Sequence, residues 1–396
     1  MATMQEIHLG LRSFSVFREL LDHPLLMRFL AYCRASESED TAARLDAYGA
    51  FVSEIYRMGG DLSAAVRKLV FENENIYVTL RAEKREIDGN LSAAVDAELR
   101  VLSALSALTA EDFRADLDYG GFLPAFRSSD ASDLPAAYAA RVNEIDRFGY
   151  GIFSSYGMFR VADSGEIEPI ISADPTTLDS FVGYEEERQK VIANTEAFLS
   201  GRPAANVLLY GDAGTGKSST VKAVANAFFD KGLRLIEIRK DQLASLPHVM
   251  GKISKNPLRF LIFIDDLSFL QNDDNFSMLK AALEGSASAK ARNAVIYATS
   301  NRRHIVKESF ADRDSGDDLH RNDTVQETLS LSERFGLTVL FAKPNKNLYL
   351  EIVFELADKY RLTHDRQWLQ TEAEAFALRR GYRSARCAEQ FIESLL

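Results

Sequence analysis

The sequence predicts an α/β fold: a five-stranded parallel sheet within residues 175–344, a mainly helical region before it and a small helical domain after it. Three observations lead to this prediction. Short apolar runs alternate with helical runs after residue 175, apolar residues recur at helical intervals before residue 110, and strand patterns stop after Pro344. Apolar strands separated by helices are typical of a parallel sheet that helices cover on both faces.

The N-terminal region, residues 1–174, is predicted to be helical over most of its length, because its apolar residues recur at intervals of three and four. Asp61 and Asn90 each precede the string Leu-Ser-Ala-Ala-Val. Both are predicted N-caps, since their side-chain oxygens can accept hydrogen bonds from free backbone N–H groups. The role of this region is not indicated by any pattern in it.

A β-hairpin is predicted at the end of the N-terminal region. Phe159–Val161 and Ile167–Ile170 have strand composition, and they flank the loop Asp163–Gly165. Asp174-Pro175 interrupts the chain directly afterwards. We therefore place the boundary of the sheet domain at residue 175.

The sheet domain, residues 175–344, and the C-terminal domain, residues 345–396, have clear element patterns. The five predicted strands are Asn206–Tyr210, Arg234–Arg239, Phe260–Asp265, Ala294–Ser300 and Thr338–Phe341. The three predicted helices that follow are Asn347–Arg361, Gln367–Arg380 and Ser384–Leu395. The last domain is thus expected to be a small helical lid.

Composition restricts the class of protein. The chain has 396 residues, of which 46% are hydrophobic and 27% charged, enough for two or three globular domains. Its formal net charge of −11 does not indicate a general nucleic-acid binder, although a local basic patch leaves DNA open as a partner. Cys33 and Cys387 lack neighbours at metal-ligand spacing and are expected to act as small apolar residues.

The N-terminus lacks the basic start and apolar run of a signal peptide. No apolar run approaches the ~20 residues that a membrane-spanning helix needs. We therefore expect a cytoplasmic protein with no membrane partner.

A phosphate-binding loop is the strongest motif in the chain. The segment between Gly211 and Ser218 matches G-x-x-x-x-G-K-[ST], follows an apolar strand and opens a predicted helix. Backbone N–H groups of such a loop and the positive helix N-terminus face phosphates, and the lysine reaches the β- and γ-phosphates. The alternative is a chance glycine-rich turn. The predicted nucleotide-binding residues here are Gly211, Asp212, Ala213, Gly214, Thr215, Gly216, Lys217, Ser218 and Ser219.

Two carboxylates end another apolar strand, at the edge where ligands of open α/β sheets bind. Asp265 is predicted to hold Mg²⁺ together with the hydroxyl of Ser218. Asp266 is predicted to orient or deprotonate the attacking water, with Glu284 as the next candidate for that role. The alternative is an exposed acidic loop.

Three further polar residues are candidates for contacts with the phosphates. Asn301 follows a predicted strand and can position water, although a simple turn cap is the alternative. Arg334 precedes the last strand and can reach a phosphate in a neighbouring subunit, whereas an ordinary surface arginine is the alternative. Arg386, or else Arg383, lies at the start of the final helix and can contact the nucleotide. The basic run Arg302–His304 is expected to be a solvated cap or an ion pair.

The order of these elements resembles the AAA+ superfamily of ATPases over residues 175–396. Within it, the chain is similar to a bacterial family of predicted ATPases defined as a domain of unknown function. The segments that carry the resemblance are Phe181–Tyr184, Asn206–Gly211, Gly214–Ser219, Ile264–Phe269, Tyr297–His304 and Leu329–Gly336.

This resemblance implies roles for the candidates. Val182 and Gly183 would line the adenine pocket, and Asn301 would be the sensor-1 residue beside the γ-phosphate. Arg334 would be the arginine finger that acts on a neighbouring subunit, and Arg386 the sensor-2 arginine of the lid. Self-association through the nucleotide interface is therefore expected.

The expected function is hydrolysis of ATP to ADP and phosphate, with Mg²⁺, to remodel or switch a macromolecular partner. Two alternatives stay open. One is a DNA-associated ATPase similar to helicase loaders and replication initiators, which the segment Ile264–Leu270 also resembles. The other is a nucleotide-dependent binding module with little turnover. The segment Lys240–Pro247 lacks the aromatic residue of a chain-threading loop, which weakens an unfoldase interpretation.

Overall fold

The computed structural model describes residues 3–117, 119–129, 133–267, 278–280, 283, 292–301 and 334–396. It divides into two compact units, Met1–Ser155 and Tyr156–Leu396. Each unit has its own apolar core. In the part of the chain that is described, no helix is both long enough and apolar enough to span a membrane.

The first unit is helical, as the apolar spacing predicts. Its helices are α1 (Met4–Arg12), α2 (Pro24–Ala35), α3 (Thr41–Arg57), α4 (Leu62–Glu72), α5 (Ile76–Ala82), α6 (Gly89–Ser106), α7 (Ala110–Leu117), α8 (Leu134–Asn143) and α9 (Ile145–Phe148), with 3₁₀ turns at Arg18–Asp22 and Gly151–Ser154. The ring of Phe113 packs against Phe29 and Phe51 in its core. Both described cysteines, Cys33 of this unit and Cys387 of the second, are free and buried.

The two predicted N-caps have different outcomes. Asp61 caps α4 by accepting a hydrogen bond from the N–H of Ala64, so that prediction is confirmed. The prediction for Asn90 is wrong, because Asp88 caps α6 and accepts from the N–H of Asn90 itself. Since Asp88 is as good a cap as Asn90, the earlier residue lets two more residues join the helix.

The second unit is built on a seven-stranded sheet. Its strands are β1 (Met158–Val161), β2 (Ile167–Pro169), β3 (Val207–Gly211), β4 (Leu233–Glu237), β5 (Arg259–Ile264), β6 (Ala294–Ser300) and β7 (Leu337–Phe341). Their order across the sheet is β2-β1-β4-β5-β6-β3-β7. The five predicted strands are β3 to β7, and all pairs between them are parallel.

The predicted five-stranded parallel sheet is therefore too small, and the sheet is mixed. The hairpin forms as predicted, but β1 adds to the edge of β4 in parallel, and β2 adds to β1 in antiparallel orientation. Without β1, the backbone N–H and C=O groups along β4 would form an open edge, which proteins usually cover. The hairpin thus belongs to the sheet of the second unit, although we expected it at the end of the N-terminal region.

Helices complete the second unit. Beside the sheet lie α10 (Glu185–Leu199), α11 (Lys217–Ala227) and α12 (Leu246–Ile253), with 3₁₀ turns at Leu178–Ser180, Phe229–Lys231 and Lys240–Ser245. After β7 follow α13 (Lys346–Lys359), α14 (Arg366–Arg380) and α15 (Ala385–Glu393). These last three helices share an apolar cluster of their own and make up the segment that we predicted to be a lid.

Candidate nucleotide-binding site

One cavity of about 340 Å³ gathers most of the candidate residues. Its walls come from the loop after β3, from the residues that follow β5, from the end of β6, and from helices α13 and α15. This is the carboxyl edge of the parallel strands, where open α/β sheets bind their ligands. Of the candidates, the lining includes Val182, Ala213, Gly214, Thr215, Gly216, Lys217, Ser218, Ser219, Asp265, Asp266, Asn301 and Arg386.

The loop between β3 and α11 has the curled backbone that phosphate binding needs. Gly211 has a φ of +136°, and a Cβ there would lie 2.0 Å from the carbonyl oxygen of Phe341. Gly214 has a φ of +75°, and its carbonyl accepts a hydrogen bond from the N–H of Arg386. Only glycine combines these backbone angles with such close approach. Helix α11 begins directly after this loop, at Lys217, and the first N–H groups of a helix have no partner within the helix itself.

Lys217 lines the cavity and is largely buried. Its ammonium group donates to the carbonyl oxygens of Gly211 at 3.0 Å and Asp212 at 2.7 Å, and to Oδ1 of Asn301 at 3.2 Å. Burial lowers the pKa of Lys217, and the nearby carboxylates of Asp212, Asp265 and Asp266 oppose that shift. A lysine ammonium has three N–H donors, so phosphate oxygens would replace one or more of these acceptors.

Asp265 and Ser218 form a hydroxyl–carboxylate pair. The Ser218 hydroxyl donates to Oδ1 of Asp265 at 2.6 Å. Because that bond uses the only hydroxyl proton, the lone pairs of Ser218 stay available to a cation.

These donors fit Mg²⁺. It prefers hard oxygen ligands, and in nucleotide sites it takes one or two from the protein and the others from phosphates and water. Among the residues described, no group of three or more His, Cys, Asp or Glu side chains could hold a metal by itself. The pair Ser218 and Asp265 therefore suits a metal that arrives with a phosphate ligand, rather than one enclosed by protein.

Asp266 is linked to Lys217 through Asn301. The Asn301 amide donates to Oδ1 of Asp266 at 2.8 Å, while its oxygen accepts from Lys217. The backbone of Asp266 is left-handed, with a φ of +49°. An aspartate tolerates this conformation better than most residues do. The result is a carboxylate exposed to the cavity, with the amide of Asn301 between it and the ammonium group of Lys217.

The cavity is also lined by residues that we did not predict. Phe181, Tyr184 and Arg188 line it beside Val182, whereas Gly183 does not and instead packs against Leu348. The Tyr184 hydroxyl donates to the carbonyl of Ala342 at 2.6 Å and so ties this segment to the end of β7.

Arg188 lines the cavity and is largely buried. Its guanidinium donates to Glu185 at 3.0 Å and lies 5.3 Å from the ring centre of Phe181. Burial lowers the pKa of Arg188. Its position one helical turn after Tyr184 is the sequence signal that connects it to the segment Phe181–Tyr184.

The lid supplies both apolar and charged groups. Ile352 and Leu356 of α13 line the cavity, as do Arg386 and Glu389 of α15. Arg383 lines a separate cavity of about 220 Å³ behind the phosphate loop, together with Asp212 and Arg386. Of the two lid arginines, Arg386 is thus the one that borders the main cavity.

Several candidates lie elsewhere. Arg334 precedes β7 and is not among the cavity residues. Glu284, the basic run Arg302–His304, and residues 268–270 and 329–333 of the resemblance segments lie outside the described residues.

A family model described as "Protein of unknown function (DUF815)" matches residues 154–396. The chaperone protein ClpB 2 of Parasynechococcus marenigrum (strain WH8102) is 26% identical over 210 residues. That alignment covers 48% of this chain and 21% of the relative, so the chain spans about a fifth of the length of ClpB 2.

Two solved structures are also similar over part of their length. The Holliday junction branch migration motor RuvB of Thermotoga maritima has a TM-score of 0.34 and 14% identity, with 56% of this chain and 72% of that chain covered. AMPPCP-bound DnaA from Aquifex aeolicus has a TM-score of 0.39 and 17% identity, with 56% of this chain and 65% of that chain covered.

The family match extends over more than half of the chain and includes the whole sheet unit with its lid. The phosphate loop, the acidic pair and the parallel strand order lie within it. The protein therefore belongs to the DUF815 family.

Proposed function

We propose that this protein binds ATP with Mg²⁺ and hydrolyses it to ADP and phosphate, and that the cycle remodels or switches a macromolecular partner. The observation that carries the proposal is the hydrogen-bonded series Lys217–Asn301–Asp266 in one cavity. A phosphate-binding cation, a polar side chain and a carboxylate are thus within reach of one another. This is the set of groups that phosphoryl transfer to water requires.

The cavity suggests how ATP would lie. The triphosphate would follow the loop Ala213–Ser219, where backbone N–H groups and Lys217 stabilise negative charge. Val182 with Ile352 and Leu356 of the lid forms an apolar end suited to adenine. Arg386 borders the cavity from the lid, so its contact with phosphate would couple lid position to the nucleotide.

Hydrolysis needs a base and a water in line with the γ-phosphate. Ser218 and Asp265 would hold Mg²⁺, which when bound neutralises charge on the β- and γ-phosphates. Asp266 would accept the proton of the attacking water, and Asn301 would hold that water or the γ-phosphate in register. The hydrogen bond from the Asn301 amide to Asp266, at 2.8 Å, supports this role.

Arg334 would act from one subunit on the nucleotide of the next. It lies outside the cavity of its own chain, which favours a role between subunits over one within a subunit. Arginine stays charged and its planar fork matches phosphate oxygens. Self-association through the nucleotide interface is part of the proposal for this reason.

The segment after β4 bears on the kind of partner that the protein acts on. The segment that carries the threading loop in unfoldases is here the 3₁₀ turn Lys240–Ser245, continued by α12. Gln242 donates to the carbonyl of Val161 at 3.0 Å, and Arg239 pairs with Asp163 at 2.9 Å. These contacts tie the segment to the β1–β2 hairpin, and they argue against a loop that grips a translocating chain.

Two alternatives remain distinguishable by experiment. A DNA-associated loader or initiator would bind DNA with an affinity that falls as salt rises, because phosphate contacts release counterions. The net charge of −11 does not favour this alternative. A nucleotide-dependent binding module would bind ATP with little turnover, so a steady-state phosphate assay separates it from an ATPase.

The proposal is tested first with Lys217→Ala. We expect the folded variant to lose measurable ATP binding in calorimetry, because it lacks the cation that contacts the β- and γ-phosphates. Lys222→Ala is the matched control: Lys222 is on the same helix, pairs with Glu237 at 3.7 Å and does not line the cavity. Unchanged affinity in folded Lys217→Ala would refute nucleotide binding at this loop.

A further inference from the structure

Thr299 lies at the meeting point of the two acidic residues. It is the second-last residue of β6 and is only 2% exposed. Its hydroxyl donates to Oδ1 of Asp265 at 2.5 Å and accepts from the backbone N–H of Asp266 at 2.9 Å. Its carbonyl accepts from the N–H of Leu267 at 2.7 Å. One residue therefore contacts three consecutive residues of the loop after β5.

The hydroxyl sets the orientation of Asp265. Oδ1 of this carboxylate accepts from Thr299, from Ser218 and, at 3.1 Å, from the N–H of Asp266. With three donors directed at one oxygen, rotation of the carboxylate would break several hydrogen bonds at once. Oδ2 takes part in none of these three bonds, so it is the oxygen available to a metal-bound water.

The same hydroxyl supports the backbone of Asp266. A left-handed backbone is unfavourable for residues other than glycine, and surrounding contacts must hold it. The bonds from the N–H groups of Asp266 and Leu267 to Thr299 are such contacts. They direct the Asp266 side chain to the amide of Asn301.

From these contacts we infer that Thr299 is a positioning residue of the magnesium–nucleotide site: its hydroxyl orients Asp265 beside Ser218 and holds Asp266 in its left-handed conformation. The inference rests on the proposed function, because it assigns a role to Thr299 in the Mg²⁺ site of that function. Only a side chain that both donates and accepts can serve the carboxylate and the N–H together. Serine keeps both capacities, whereas valine has the shape of threonine and neither capacity.

The test measures Mg²⁺ dependence of nucleotide binding, not turnover. A fluorescent, non-hydrolysable ATP analogue is titrated into the full chain at a series of Mg²⁺ concentrations and in EDTA. For Thr299→Val we expect a rise of about 10–100-fold in the Mg²⁺ concentration that gives half of the maximal increase in affinity for the analogue. This is the range typical for loss of a residue that orients a metal ligand. Affinity in EDTA should stay within about twofold, because Lys217 and the phosphate loop are intact.

Two variants control for packing. Thr299→Ser should behave like the unmodified chain, since it keeps the hydroxyl. Thr195→Val removes another buried threonine hydroxyl of the same unit, one that contacts Tyr297 and does not line the cavity. It should leave the Mg²⁺ dependence unchanged. If Thr299→Val does not fold, as judged by circular dichroism, Thr299→Ala is measured in its place.

The outcomes separate this inference from the proposed function. Suppose that the unmodified chain needs Mg²⁺ to bind the analogue and that the half-maximal Mg²⁺ concentration of Thr299→Val agrees with it within about twofold. The role of Thr299 is then refuted and the proposed function stands. An equal shift in Thr299→Ser and Thr299→Val also refutes it, because the hydroxyl is then not responsible. If the unmodified chain binds no nucleotide, or binds it without regard to Mg²⁺, the proposed site and the role of Thr299 fail together.

Discussion

Replacement of Asp266 by asparagine tests the hydrolytic step most directly. The change removes the basic carboxylate but keeps an acceptor oxygen for the amide of Asn301, which contacts Asp266 at 2.8 Å. Asparagine also tolerates the left-handed backbone, with its φ of +49°, as well as aspartate does. Asp265 is not altered, so the carboxylate proposed to hold Mg²⁺ remains. The substitution therefore separates catalysis from binding.

The expected loss of turnover follows from the role of a general base. Removal of such a base typically lowers the rate about 10²–10⁴-fold. At 1.36 kcal/mol for each factor of ten, this is about 2.7–5.4 kcal/mol of activation free energy. The affinity for ATP should stay within about twofold, because an interaction made only in the transition state is lost.

The assay combines steady-state release of phosphate with calorimetric titration of ATP. Asp163→Asn is the matched control, because Asp163 is an exposed carboxylate of the same unit that pairs with Arg239 outside the cavity. It should leave both quantities unchanged. If Asp266→Asn retains full turnover, Asp266 is not the base and another carboxylate, Glu284 first, must be tested. A joint loss of ATP affinity would instead place Asp266 in binding.

Two further predictions concern stability and assembly. Glu98→Gln should lower the free energy of unfolding of the helical unit by about 1.5–3 kcal/mol, measured by denaturant unfolding. The buried Glu98 carboxylate accepts hydrogen bonds from the N–H groups of Ser15, Val16 and Phe17, and a glutamine amide would replace one of its acceptor oxygens by a donor. The exposed pair partner Glu111 provides the control, since Glu111→Gln should cost under about 0.5 kcal/mol, and equal costs would contradict the argument. Arg334→Ala should bind ATP normally but lose about 10³-fold or more in turnover. Mixing this variant with Asp266→Asn should restore part of the activity, because some interfaces then pair an intact Asp266 with an intact Arg334. Turnover that does not depend on concentration in a proven monomer, with no rescue on mixing, would show that Arg334 does not act between subunits.

Local chemistry explains which features the sequence predicted well. The phosphate loop is contiguous: the glycines that set its backbone geometry and the side chains of Lys217 and Ser218 all lie within eight neighbouring residues. The acidic pair is also local, since Asp265 and Asp266 directly follow an apolar strand. The strand Ala294–Ser300 is predicted with its observed bounds. In each case the physical cause lies within one element and the turn next to it.

Pairing between distant segments explains the error in the sheet. The hairpin is visible in the sequence because its two strands and loop are adjacent. Its attachment to β4 joins Met158 to Leu235 and Arg160 to Glu237, and no periodicity records such a partner. Alternation along a strand shows which residues face the core, but strand neighbours depend on which free edge is available. The sheet was therefore predicted with two strands too few.

Thr299 shows where a prediction could have gone further. Its partner Asp265 is 34 residues away, so their contact cannot be read from spacing. Side chains alternate along a strand with a period of two, which places Thr299 on the same side of β6 as Asn301. If Asn301 faces the cavity, Thr299 is therefore expected to face it too. The register that pairs Ile264 with Ala298 then places Asp265 next to Thr299. The sequence does not show that β5 and β6 are neighbours in the sheet. That strand order brings Thr299 of β6 into contact with Asp265 and Asp266, which follow β5.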